Sequence, residues 1–175
     1  RIGFQIGDEP RSMAALAEME VGIAAVRSAD PDALIIVNYS FHPEDLPEML
    51  ARTAELDVDV YSYDTYTYRS RGLIETANIF REAALAADRP YWCYLKSFYE
   101  RPDDGIATIS DMRWQAFAHM ALGFTGYTWF IYQIAPPHSD GLTAMLYDGD
   151  ADWGRPHTEA WARAAQVNLE IANTG

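Results

Sequence analysis

The sequence holds a single cysteine, Cys93, so no intramolecular disulfide can form. Cys93 lies inside the apolar stretch 91–95 with no histidine near it in sequence. That is the setting of a small buried hydrophobe rather than a reactive thiol. Apolar runs are short: none reaches the roughly 20 residues of a membrane span, and no signal-peptide pattern is visible in these residues. Scarce cysteine leaves the compartment open, since secreted enzymes often lack disulfides. A secreted or periplasmic location is the expectation, with the cytoplasm as the alternative.

Basic residues are also scarce: 13 Lys and Arg stand against 26 Asp and Glu, a formal net charge of −13. This excludes the Lys/Arg-rich face that nucleic-acid phosphates require, and it disfavours an anionic membrane surface. A neutral polar partner such as a carbohydrate fits better. His42, His119, His138 and His157 share no HxH or HExxH spacing, so no zinc site is expected. Asp148, Asp150 and Asp152 lack the rest of a calcium loop and read as a solvated turn. No strand leads into a GxGxxG turn, which weakens a doubly wound dinucleotide fold. No cofactor and no metal is expected.

What remains is 175 residues, 49% hydrophobic, enough for one globular domain with a sizeable core. Strand patterns at 1–7, 33–38, 58–63, 91–95 and 127–132 alternate with helical stripes at 10–27, 43–56, 73–87, 110–122 and 158–172. The Leu-Ile-Ile-Val run at 34–37 reads as a parallel strand buried on both faces. Regular alternation of this kind predicts parallel strands joined by right-handed crossovers. A (β/α)8 TIM barrel needs about 250 residues. Five units make about five-eighths of one, and a chain that starts almost inside a strand suggests that the first part of the barrel precedes it.

In a parallel α/β fold the site lies at the carboxyl ends of the strands. Those ends read Asp8-Glu9-Pro10, Asn38-Tyr39-Ser40, Tyr63-Asp64-Thr65-Tyr66, Lys96-Ser97-Phe98, and Trp129 through Tyr132 and Gln133. All five are polar and aromatic, the make-up of a ligand cleft, and sugars stack on aromatic rings while hydroxyls reach polar groups. Glycosidic cleavage needs an acid and usually a second carboxylate. Glu9 is the leading acid, against a competing role as cap of the following helix; for Asp8 the capping role leads. Strand alternation places the two on opposite sides. Asp57 and Asp59 lie near a strand start, the stability face of a barrel, and stay outside the site.

Several motifs recur in order: Gly-Asp-Glu-Pro at 7–10, Ser-Tyr-Asp-x-Tyr at 62–66, Pro-Tyr-Trp at 90–92, and the segment 112–130 running from Met-Arg-Trp-Gln to Gly-Tyr-Thr-Trp-Phe. Together they resemble the C-terminal part of clan A-type (β/α)8 glycoside hydrolases, the beta-galactosidase-like group. The resemblance implies strands 4 to 8 of the barrel and a closing helix, spread over the whole chain as one catalytic-type domain. It implies that Glu9 is the acid/base at the end of the fourth strand, with Asp8 where that pattern carries Asn. At the seventh strand, where the family's nucleophilic Glu stands, this chain has Lys96 and Ser97. Glu100 or Asp64 is then the alternative second carboxylate.

The reading is therefore a glycosidase acting on an oligo- or polysaccharide, with Glu9, Asp64 and Glu100 as catalytic candidates. Asp8, Asn38, Tyr39, Tyr63, Tyr66, Lys96, Trp129, Tyr132 and Gln133 are the candidate substrate contacts. Two alternatives stay open: a carbohydrate-binding pseudoenzyme on the same fold, and a lyase or aldolase using a Lys96 Schiff base.

Overall fold

A computed structural model describes residues 3–40, 46–66, 71–98, 107–131 and 158–174. The expected alternation is present throughout: β1 (Gly3–Asp8), α1 (Met13–Ala29), β2 (Leu34–Ser40), α2 (Leu46–Thr53), β3 (Val60–Asp64), α3 (Arg71–Ala86), β4 (Tyr91–Lys96), α4 (Ile109–Ala121), β5 (Gly126–Phe130) and α5 (Glu159–Ala172). The strands form one sheet in chain order. β1 with β2, β2 with β3 and β3 with β4 pair in parallel. The architecture is α/β, as expected for part of a barrel. The chain divides into two compact units, Arg1–Tyr94 with His119–Gly126, and Leu95–Ala118 with Tyr127–Gly175.

In the first unit the register sorts side chains into two sets, because successive residues of a strand point to opposite faces. Tyr39 pairs with Tyr63 and Tyr63 with Cys93. This odd-numbered row, with Ile35, Val37 and Tyr61, is almost fully buried, as are Leu16, Met49, Leu73 and Phe80 of the helices. The Tyr63 ring stacks on Phe80 at 4.5 Å, and its hydroxyl bonds His119 Nε2 at 2.5 Å. Tyr39 bonds Thr53, whose hydroxyl donates to the Met49 carbonyl at 2.8 Å. Cys93 belongs to this core, and burial pushes its thiol well above the ordinary range, in keeping with an inert hydrophobe.

The even-numbered row is different. Asp8 pairs with Asn38, Asn38 with Ser62, and Ser62 with Trp92, while Ser40 pairs with Asp64 and Asp64 with Tyr94. Asn38, Ser62 and Asp64 are polar yet buried. Buried polar groups need partners, and Asn38 links Ser62 and Asp64 while also reaching Asp8.

At the opposite strand ends Arg27 ties the first unit together. Its guanidinium meets Asp57 and Asp59, each at 2.8 Å, and donates to the Ala33 carbonyl at 2.8 Å. Asp59 also accepts from the Ile35 amide at 2.8 Å. These two aspartates serve the fold, as their position near a strand start implies.

The turn after β1 departs from a regular strand. The β1–β2 register shifts between Gln5 and Asp8, and Gly7 and Glu9 both adopt left-handed backbone, φ +78° and +46°. A Cβ on Gly7 would also meet the Met19 side chain at 2.6 Å. Gly7→Ala is therefore expected to lower stability by about 2 kcal/mol, read from urea unfolding. An unchanged midpoint would contradict this account of the turn.

Candidate active site

The irregular turn brings Asp8 and Glu9 to the same place. A regular strand would send them to opposite faces; instead, both carboxylates act on Asp64 at the end of β3. Nor do they cap the following helix. That role falls to Ser12, whose hydroxyl accepts from the Ala15 amide at 3.1 Å, so α1 begins at Met13 rather than at Pro10.

The contacts form a chain along the even-numbered face. Tyr94 donates to Gln5 Oε1 at 2.5 Å, and Gln5 Nε2 donates to Asp8 Oδ1 at 3.0 Å. The same Asp8 oxygen accepts from Asn38 Nδ2 at 3.0 Å, and that amide also reaches Asp64 Oδ1 at 3.5 Å. Ser62 Oγ donates to Asn38 Oδ1 at 3.0 Å. The Glu9 carboxylate and the Tyr66 hydroxyl both act on the Asp64 carboxyl, the first raising it and the second lowering it. Arg11 sits against Glu9 Oε2 at 3.3 Å. The contact between Gln5 of β1 and Tyr94 of β4, two strands away from being neighbours, shows that the sheet of this unit curves toward its polar face.

Burial and then the Glu9 carboxylate push the Asp64 carboxyl up from 3.8 to about 7, while the Tyr66 hydrogen bond pulls the other way. A buried carboxyl raised in this way keeps its proton closer to neutral pH than an exposed one does. Burial likewise raises the Tyr66 hydroxyl far above its usual range, so it stays a donor. Glu9 is more reachable than Asp64: its side chain is 31% exposed, and with Asp8 and Arg11 it borders a cavity of about 530 Å³ on the α1 side, which Asp64 does not line.

The remaining expected contacts are placed elsewhere. Tyr39 and Tyr63 point into the helix-covered core and do not line a cleft, because they sit one residue out of phase with Asn38 and Asp64. In the second unit, the Trp129 indole N–H donates to Asn168 Oδ1 of α5 at 2.9 Å, beside Tyr127 on the same acceptor at 2.8 Å. Trp129 thus packs toward the closing helix. Lys96 is buried; its backbone amide donates to Gln115 Oε1 at 2.7 Å, and its Nζ lies 4.9 Å from the Phe98 ring centroid, a cation–π arrangement. Glu100, Tyr132 and Gln133 lie outside the described residues, as do His42, His138, His157 and the three aspartates at 148, 150 and 152. Among the described residues no group of three His, Cys, Asp or Glu side chains is arranged to hold a metal ion, and no helix is long and apolar enough to cross a membrane. The polar face adds Gln5, Ser62 and Tyr94, which strand-end inspection passed over.

The class this arrangement defines is a parallel α/β fold with a carboxylate cluster at the carboxyl ends of its strands. Solved structures resemble the chain in fold. A provisionally assigned alpha-L-fucosidase from Bacteroides thetaiotaomicron superimposes with a TM-score of 0.69 at 11% identity, over 98% of this chain and 54% of that one. Bee venom hyaluronidase superimposes with a TM-score of 0.50 at 14% identity, over 91% of this chain and 52% of that one. The chain spans about half the length of these structures, and at such identities the likeness is one of fold. No protein-family model matches the chain, and no curated protein sequence does.

Since Tyr63 belongs to the core, Tyr63→Phe should lower stability by about 1–2 kcal/mol through loss of its hydroxyl's bond to buried His119. Urea unfolding of the variant checks this, and an unchanged midpoint would contradict it.

Proposed function

We propose that the chain belongs to a glycoside hydrolase and that Glu9 delivers the proton to the departing glycosidic oxygen. The observation that carries this reading is the meeting of Asp8, Glu9 and Asp64 at the carboxyl ends of parallel strands, with Asp64 buried and raised beside the reachable Glu9. Glycosidic cleavage uses such a carboxyl group to protonate the departing oxygen. The likeness in fold to structures bearing the names of an alpha-L-fucosidase and a hyaluronidase supports a carbohydrate substrate, as does the acidic, phosphate-averse composition.

In this mechanism the C–O bond to the leaving sugar breaks as Glu9 protonates its oxygen, a water oxygen bonds the anomeric carbon, and the water's proton returns to the Glu9 carboxylate. Asp64 is the buried carboxyl beside Glu9, with Tyr66 acting on Asp64 and Arg11 set against Glu9.

The test is hydrolysis of a panel of aryl glycosides and oligosaccharides, including fucosides and N-acetylhexosaminides, followed by release of reducing ends. Turnover of at least one class supports the reading. Binding of glycans with no turnover of any supports the binding-protein alternative instead.

A further inference from the structure

We propose that Asn38 and Ser62 are positioning residues: the Ser62 hydroxyl locks the Asn38 amide so that its Nδ2 faces both Asp8 and Asp64 and fixes the two carboxyl groups against each other. The inference rests on the reading of Asp8, Glu9 and Asp64 as the acid cluster, and it removes Asn38 from direct substrate contact. The geometry is specific. Asn38 is 3% exposed and Ser62 equally so, which excludes a solvent-facing role. An Asn side chain carries two donors on nitrogen and an acceptor oxygen. Here the oxygen takes the Ser62 hydrogen at 3.0 Å, and the nitrogen is left to span Asp8 at 3.0 Å and Asp64 at 3.5 Å.

The lock matters because the amide has a second orientation. Turned over, it would present oxygen to two carboxyl groups, and Ser62 would then face an NH2 group. The flipped amide would set its oxygen against the carboxyl oxygens of Asp8 and Asp64, and the Ser62 hydrogen donated to Asn38 Oδ1 adds to the preference for the observed orientation. Register places the three groups side by side across β1, β2 and β3: Asp8 opposite Asn38, Asn38 opposite Ser62, with Asp64 two residues beyond on the same face. The other groups acting on Asp64 are Glu9 and Asp8 from the first turn and Tyr66 from the β3 loop, and Tyr94 of β4 feels its charge. Asn38 adds a donor to Asp64 through its Nδ2, alongside the Tyr66 hydroxyl.

The experiment is a carboxyl 13C NMR titration of the intact chain, wild type against Ser62→Ala and Ser62→Thr. With the lock removed, the Asp64 midpoint should rise by at least half a pH unit in Ser62→Ala, and Ser62→Thr, which keeps the hydroxyl, should restore it. Superimposable Asp64 titrations in Ser62→Ala and wild type overturn the proposal. Should Ser62→Ala fail to fold, Asn38→Asp is read in the same way: a rise of about one unit is expected, and no rise overturns it. The measurement uses no sugar, so an Asp64 shift in a chain that hydrolyses nothing would sink the proposed function and leave the positioning role standing.

Discussion

Glu9→Gln is expected to reduce glycoside turnover by about 10²–10⁴-fold while leaving glycan affinity within a few-fold, the loss typical of a removed general acid. Glutamine keeps the size and the polar end of the side chain, so the turn at Gly7 to Glu9 and the contact with Asp64 stay in place. What it cannot do is give a proton to an oxygen. Glu9 is exposed enough to be reached, whereas Asp64 is buried. Initial rates on the best glycoside of the panel and titration calorimetry with the matching sugar separate the two effects. Turnover retained within tenfold would remove Glu9 from the acid role.

Asp64→Asn should change how stability depends on pH. The folded Asp64 carboxyl is raised from 3.8 to about 7, chiefly by burial and then by Glu9. A carboxyl raised in this way adds stability that is fully present below about pH 4 and is lost as pH rises through about 7, because the folded state holds a proton that the unfolded state has released. Asparagine does not titrate. The variant should therefore match wild type in acid and exceed it by about 2–3 kcal/mol above pH 8, once the part of the group open to water is discounted. Urea midpoints measured from pH 4 to pH 9 give the comparison. Parallel curves for the two proteins would show that Asp64 holds no extra proton at neutral pH.

The order of strands and helices was legible because period-two and 3.6-residue patterns fix element type over long stretches. Its edges moved where local chemistry intervened: α1 starts after Ser12 because the serine side chain, not Pro10, completes the first turn. The site was legible only in part. Asp64 and Asn38 could be found at strand ends, but choosing the aromatic residues beside them ignored strand parity. Tyr39 and Tyr63 are odd-numbered neighbours of even-numbered site residues, and one position along a strand turns a side chain from the cleft to the core. Parity would also have found Ser62, two residues before Asp64, and Tyr94, its partner in register. The joint placement of Asp8 and Glu9 was not readable in this way. It depends on a register shift and on left-handed backbone at Gly7 and Glu9, and a non-glycine residue such as Glu9 gives no sequence signal for that conformation.

Carboxyl 13C titration of the wild-type chain reads the Asp64 environment directly. The predicted result is an Asp64 midpoint at about 7, raised by burial and then by the Glu9 carboxylate. An Asp64 midpoint in the ordinary range near pH 4 would contradict it.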